Sequence, residues 1–199
     1  MNRELSHPQG LSHEVAVQAR PAPWLRAAGI VVLGSAFAAV CAHVSVPLFF
    51  TPVPLSLAPL PVLLLGLLLT PRQAAATFAA YLAEGALGLP VFAPSPLSGL
   101  AHLFGTTGGY LLAYPLAAFL ISVLWRRTRR GFTAATLASA AGSLVILGCG
   151  ALWLAALTHT SLQSVFTLAV APFLPGDALK VIAAAALGTG FIRLRRTRA

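Results

Sequence analysis

Long apolar segments, separated by short polar or proline-rich connections, follow one another along most of the chain. A helix needs roughly 20 apolar residues to cross the hydrocarbon core of a bilayer, and six segments approach or reach that length. They lie at about residues 25–46, 54–69, 73–89, 105–125 and 132–157, with a last one from about residue 176 to residue 192. The pattern predicts an all-α integral membrane protein with six transmembrane helices.

Composition agrees with a membrane protein and narrows the possible partners. The chain has 199 residues, of which 58% are hydrophobic and 9% are charged, and its mean hydropathy of +0.86 is far above that of a water-soluble domain. Cys41 and Cys149 lie inside apolar segments, where a cysteine ordinarily acts as a small hydrophobic residue. The net charge of +9 comes from residues placed as in membrane proteins, so no nucleic acid partner is predicted.

Arginines mark every second connection between the segments, and the three other connections contain no charged residue. The basic residues are Arg20, Arg26, Arg72, Arg126, Arg127, Arg129, Arg130, Arg193, Arg195, Arg196 and Arg198. By the positive-inside rule both termini are predicted to be cytoplasmic, and the uncharged connections face outward. We therefore expect a flexible cytoplasmic tail at residues 1–24, a six-helix membrane domain at 25–192 and a basic cytoplasmic tail at 193–199.

The last apolar segment is preceded by helix-breaking residues. Pro172 and Pro175, with Gly176, interrupt the apolar run, so a short outer helical piece is predicted before Pro172 and the last membrane helix from about Gly176. Asp177 then falls in the first turn, where a carboxylate satisfies free backbone amides. The only lysine, Lys180, follows about one turn later on nearly the same face.

These two charges are predicted to lie in the outer half of the membrane, because Lys180 precedes Arg193 by roughly 20 Å of helix. A charged side chain at the centre of a membrane helix costs about 2.5 to 3.5 kcal/mol on insertion scales, and such residues usually mark a functional site. A ligand site is therefore predicted, with a structural cap and ion pair as the alternative. Glu84, in the third segment, is predicted at the same depth, where it either contacts the ligand or neutralises Lys180.

The second outward connection is expected to cover this site. Residues 88–110 contain no charge and combine turn-forming residues with Phe92, His102 and Phe104, so they should form a lid or re-entrant piece over the outer mouth. Within the "GTTGGY" block, which ends at Tyr110, glycines allow close backbone approach, although helix packing alone is the alternative. The first outward connection is proline-rich and apolar, and is predicted to form another wall. The five histidines are scattered and are interpreted as structural, so no metal site is predicted.

Catalytic motifs do not match the chain. A zinc-protease helix has the pattern His-Glu-x-x-His. His13 and Glu14 match its first two positions, but Val17 stands where the second histidine is needed. The chain has no Gly-x-x-x-x-Gly-Lys-Ser/Thr, no Gly-x-Ser-x-Gly, and a single aspartate in the membrane, one short of an aspartyl dyad. The sequence predicts no enzyme and no cofactor. An intramembrane enzyme in which Glu84 and Asp177 share a water, and a purely structural scaffold, are the alternatives.

A stripe of small residues runs along the first helix. Gly34, Ala38 and Ala42 recur every four residues, which is the spacing that allows close approach of another helix. The stripe predicts a partner-docking surface, with chance spacing in an alanine-rich chain as the alternative.

Four blocks, in this order along residues 28–188, together resemble the BioY family. They are "PVPLSLAPLPVLLLGLLLTPRQAA", "YLAEGALGLPVFA", "GTTGGYLLAYPLAA" and "FLPGDALK". The resemblance implies the biotin-specific substrate-binding (S) subunit of an energy-coupling factor (ECF) transporter in a prokaryotic cell membrane. Such a subunit has six helices, captures biotin from outside, and works with an energising transmembrane subunit and a pair of ATPases.

The resemblance also implies roles for particular residues. Asp177 and Lys180 match the family's ligand-binding Asp-x-x-Lys pair, and Ala38 and Ala42 match the Ala-x-x-x-Ala stripe that docks such subunits. The "GTTGGY" block resembles the family's Gly-Pro-Thr-Gly-Gly-Tyr, with Thr106 in place of proline.

Biotin suits a site with these residues. Its ureido ring offers N–H donors and a carbonyl acceptor, which an ammonium beside a carboxylate complements. The candidate ligand contacts are Asp177, Lys180, Tyr81, Glu84, Phe92, Thr107 and Gly108. The sequence leaves open which end of biotin meets Lys180, and another small vitamin is the alternative ligand.

Overall fold

The computed structural model describes residues 22–197, so nearly all of the predicted N-terminal tail, and residues 198–199, lie outside the described residues. The described chain is mostly helical. Its helices are α1 (Pro23–His43), α2 (Pro59–Leu68), α3 (Pro71–Ala86), α4 (Gly99–Leu103), α5 (Gly108–Arg126), α6 (Phe132–Thr158), α7 (Leu162–Ala169) and α8 (Leu174–Thr197), with a 3₁₀ turn at Ala171–Phe173.

Four helical segments of the described chain are long and apolar enough to cross a membrane. They are Trp24–His43, Gly108–Arg126, Phe132–Thr158 and Gln163–Arg195. The other two predicted spans fall on α2, which has 10 residues, and α3, which has 16. At 1.5 Å per residue α2 is about 15 Å long, half the thickness of the hydrocarbon core. None of its residues is exposed, so neighbouring protein surrounds this short helix.

Helix α5 is the centre of the bundle. In α5, 61% of the apolar window is buried, against 28% to 33% in the other three long segments. It packs against α6, α3 and α2, while α1 packs against α3, and α8 packs against α2 and α6. The helices on the outside expose large apolar side chains such as Leu33 and Leu179, as expected of lipid-facing surfaces.

Local sequence signals explain where two of these helices begin. Helix α3 follows α2 after two residues, and the Thr70 hydroxyl accepts a hydrogen bond from the Gln73 amide while the Gln73 side chain accepts from the Thr70 amide, which is a capping box. Helix α8 begins at Leu174, and not at Gly176 as predicted. Pro175 is accepted in the first turn because the amides there have no partner within the helix. At its other end, α8 continues through the described part of the predicted basic tail.

The three connections without charged residues contain more structure than the sequence predicted. Strands β1 (Ser45–Val46) and β2 (Leu55–Ser56) pair antiparallel, with Ser45 opposite Ser56, and form a small hairpin in the first connection. The second connection contains α4. The third contains α7, which is the helical piece predicted before Pro172.

A test of the α5–α6 packing compares two glycines of α6. A Cβ added at Gly150 would lie 2.3 Å from the nearest ring atoms of Tyr110 in α5, whereas one at Gly148 would meet nothing within 4 Å. We expect Gly150→Ala to lower the free energy of unfolding by about 1–3 kcal/mol, the usual cost of overpacking. Gly148→Ala should change it by less than about 0.5 kcal/mol. Thermal unfolding in detergent measures both variants, and equal melting temperatures would contradict the close contact.

Candidate ligand-binding site

A cavity lies among the first connection, α3, α4, α5, α6 and the start of α8. Four of the predicted ligand contacts line it: Tyr81, Thr107, Asp177 and Lys180. The remaining wall is mostly apolar or aromatic. A mainly apolar pocket with a few convergent polar groups is the usual form of a small-molecule site.

Asp177 and Lys180 form an ion pair inside the protein. Asp177 is 6% exposed and Lys180 is 7% exposed. Lys180 Nζ lies 3.1 Å from Asp177 Oδ1. The Ser143 hydroxyl of α6 donates a 2.6 Å hydrogen bond to Asp177 Oδ2. The carboxylate therefore receives one donor on each oxygen, as a buried charge requires. The pair is neutral overall and presents an acceptor beside a donor.

Two tyrosines of the wall are held by their hydroxyl groups. Tyr81 donates to the Val91 carbonyl at 3.0 Å, and Tyr110 donates to the Ala169 carbonyl at 2.7 Å. A third ring, Tyr114, stacks on Tyr81 with 6.4 Å between centroids and 21° between planes. All three line the cavity, so the aromatic wall is fixed to the connections on either side.

Phe92 supports the wall without lining this cavity. Its ring packs edge-on against Tyr81 with 5.3 Å between centroids, and its centroid lies 5.0 Å from that of His102. Gly85 of α3 makes room for it, because a Cβ there would lie 2.0 Å from the Phe92 ring. Phe92 was predicted to contact the ligand. In this structure it contacts Tyr81 and His102, which line the cavity.

Glu84 and Gly108 have different partners from those predicted. Glu84 accepts a hydrogen bond from the Ser35 hydroxyl of α1, so it neither lines the cavity nor pairs with Lys180. A Cβ at Gly108 would lie 1.9 Å from the Leu103 carbonyl oxygen. This glycine therefore allows α5 to approach α4. That agrees with the alternative interpretation of the "GTTGGY" block, in which its glycines serve helix packing alone.

The small-residue stripe of α1 faces the inside of the molecule. Ala38 is 1% exposed and Ala42 is fully buried, and a Cβ at Gly34 would lie 2.7 Å from Thr77 of α3. The spacing does allow close approach of a helix, but that helix is α3 of the same chain. In this structure the three residues are buried against the rest of the chain, and docking of a partner through them stays a prediction.

The sequence analysis did not select several residues that form the site. Tyr110 ends the "GTTGGY" block, and Tyr114 follows four residues later on the same helix face, so helical spacing was an available signal. His102 also lines the cavity, although it was interpreted as structural. Ser143 gave no signal, because its distance from Asp177 along the chain hides their contact.

The chain is similar to proteins of one family throughout the described fold. The model of the BioY family matches residues 12–197. A probable biotin transporter BioY of Pyrococcus horikoshii is 37% identical over 155 residues, covering 78% of this chain and 89% of the relative. The biotin transporter BioY2 of Lactococcus lactis is 34% identical over 167 residues, covering 82% and 88%. A crystal structure of the S-component for biotin from an ECF-type ABC transporter matches with a TM-score of 0.78 and 25% identity, covering 87% of this chain and 92% of that chain.

The hydrogen bond between Ser143 and Asp177 is tested by two serines one turn apart in α6. Ser143→Ala removes a donor to a buried carboxylate, and we expect the free energy of unfolding to fall by about 1.5–3 kcal/mol. Ser139 is buried, and its hydroxyl has no hydrogen-bond partner among the described residues, so Ser139→Ala should be neutral or stabilising. Thermal unfolding in detergent distinguishes them. A Ser143→Ala protein as stable as Ser139→Ala would contradict the contact.

Proposed function

This chain belongs to the BioY family, and on that premise we propose that it is the biotin-binding S component of an ECF-type transporter. It binds biotin in the cavity beside Asp177 and Lys180 and carries out no covalent chemistry of its own. It works with an energising transmembrane subunit and a pair of ATPases, so ATP is hydrolysed elsewhere. It belongs to the cytoplasmic membrane of a prokaryote and needs no resident cofactor.

One observation carries this proposal: a neutral, buried ion pair lies in the wall of an apolar and aromatic cavity. Biotin combines a polar ureido group with an apolar bicycle and an apolar chain. The ureido N–H groups need an acceptor and its carbonyl needs a donor, and Asp177 and Lys180 supply these side by side. The rings of Tyr81 and Tyr114 offer apolar surface to the rest of the molecule.

The same ion pair favours one orientation of biotin. A ligand carboxylate beside Lys180 would also stand close to Asp177, whose Oδ1 is 3.1 Å from Nζ. Two like unit charges 4 Å apart repel by about 4 kcal/mol at an effective dielectric constant of 20, which offsets the attraction to the ammonium. The neutral ureido end suffers no such repulsion. We therefore place it at the pair, with the carboxylate directed away.

The membrane topology of the proposal has six spans, with both termini in the cytoplasm and the hairpin, α4 and α7 on the outer side. The arginines of residues 126–130 and 193–196 support it, since they lie at the ends of α5 and α8 that face away from the cavity's connections. The three connections on the cavity side contain no charged residue. Biotin therefore enters from outside.

The intramembrane enzyme loses its support, because Glu84 bonds to Ser35 and does not share the cavity with Asp177. The same fold serving another small vitamin is distinguished by competition. Excess unlabelled biotin, and no other vitamin at the same concentration, should displace labelled biotin from the purified protein.

The site is tested by neighbouring residues of α8. Lys180→Ala leaves Asp177 without its ammonium partner and removes a donor, so we expect biotin affinity to fall at least about tenfold, or 1.4 kcal/mol. Leu179→Ala is the matched control, because Leu179 is exposed and does not line this cavity, and the variant should bind as the parent does. Calorimetric titration of the purified proteins with biotin, without ATP, measures this. If Lys180→Ala binds biotin as tightly as Leu179→Ala, the site is wrongly assigned.

The orientation in the membrane is tested by single cysteines at two exposed positions. In a protein whose Cys41 and Cys149 are replaced by alanine, Ser95→Cys lies in the second connection and Thr128→Cys lies between α5 and α6. We expect a membrane-impermeant maleimide to label Ser95→Cys in intact cells and Thr128→Cys only after permeabilisation. The reverse pattern would overturn the topology.

A further inference from the structure

His102 occupies a particular position in the connection between α3 and α5. It lies in α4, is only 6% exposed, and its ring packs on Phe92. It lines the cavity that contains Asp177 and Lys180, and it also lines two neighbouring cavities. Those two cavities are formed almost entirely by the first and second connections, and neither Asp177 nor Lys180 borders them. His102 therefore marks the side of the ligand cavity that faces the connections.

One nitrogen of the His102 ring has a partner, and the other has none. Nδ1 lies 3.2 Å from the Leu97 carbonyl oxygen, and since a carbonyl only accepts, Nδ1 carries a proton. Nε2 makes no hydrogen bond to a described residue. Among the described residues, Ser139 Oγ is the only side-chain nitrogen or oxygen that has neither a hydrogen-bond partner nor accessible surface. Nε2 consequently borders open space, and for a side chain so buried that space is a cavity.

We propose that His102 binds the carboxylate end of the ligand through Nε2, at the side of the cavity that faces the connections. This inference rests on the proposed function, and it extends the site beyond Asp177 and Lys180. The ureido end occupies the ion pair on α8, so the carboxylate requires a donor elsewhere. His102 is the nitrogen-bearing side chain on that side of the wall, and the Thr107 hydroxyl lies in the same wall.

The hydrogen bonds of His102 determine which ring nitrogens carry protons when the ligand is bound. A carboxylate only accepts hydrogen bonds, so Nε2 must carry a proton to donate to it. Since Nδ1 already donates to Leu97, the ring that holds the ligand carries a proton on both nitrogens. The other titratable or charged groups around the cavities that His102 borders are His43 of α1, Tyr81 of α3, Tyr110 and Tyr114 of α5, and Asp177 and Lys180 of α8.

Two substitutions separate ligand binding by Nε2 from support of the connection by Nδ1. His102→Asn keeps an N–H near the position of Nδ1 for Leu97 and removes Nε2. His102→Gln keeps an N–H near the position of Nε2. Each is titrated by calorimetry with biotin and with biotinamide, which is nearly the same size but uncharged.

We expect the parent to prefer biotin over biotinamide, and His102→Asn to lose at least about tenfold in biotin affinity with little change for biotinamide. His102→Gln should retain most of the preference. Equal losses for both ligands, or an unchanged preference in His102→Asn, would overturn the role of His102 but not the proposed function. A parent protein that binds neither ligand would overturn the proposed function and this inference with it.

Discussion

The arrangement of this protein depends on two opposite charges that are buried among apolar helices. An unpaired ammonium or carboxylate in this environment would be strongly unfavourable, and here Lys180 Nζ pairs with Asp177 while the Ser143 hydroxyl donates to the same carboxylate. This requirement fixes the register of α8 against α6. The start of α8 lies beside the cavity, which Asp177 and Lys180 line.

Hydrogen bonds from aromatic side chains connect the helices to the loops around the cavity. Tyr81 reaches the second connection at Val91, Tyr110 reaches the end of α7 at Ala169, and Trp153 Nε1 donates to the Gly105 carbonyl at 2.9 Å. In each case the donor is on a helix of the bundle (α3, α5 or α6) and the acceptor is a backbone carbonyl of another segment. These bonds satisfy backbone carbonyls of the connections. They tie the cavity wall to the connections around it.

The sequence was informative wherever charge or chain-breaking residues were involved. The apolar segments correspond to helices, and the Asp177–Lys180 spacing correctly placed two charges together on α8. The sequence could not indicate which face of α1 is buried, because lipid and protein interior are both apolar and a membrane helix lacks the polar face that orients a soluble one. For that reason the packing of Ala38 and Ala42 inside the molecule and the Ser35–Glu84 contact were not foreseen. The start of α8 was misplaced by the rule that proline breaks helices, which does not hold in a first turn.

The shortness of helix α2 has a further consequence for the cavity. A chain segment that crossed the whole bilayer as a helix would need about twice as many residues, and its additional turns would extend from Pro59 towards the connections. That stretch is instead taken by the hairpin, and Val53, Pro54, Ser56, Ala58 and Pro59 line the cavity there. The cavity thus occupies the volume that additional turns of α2 would fill. The residue at which α2 begins therefore limits how far the cavity extends into the bundle.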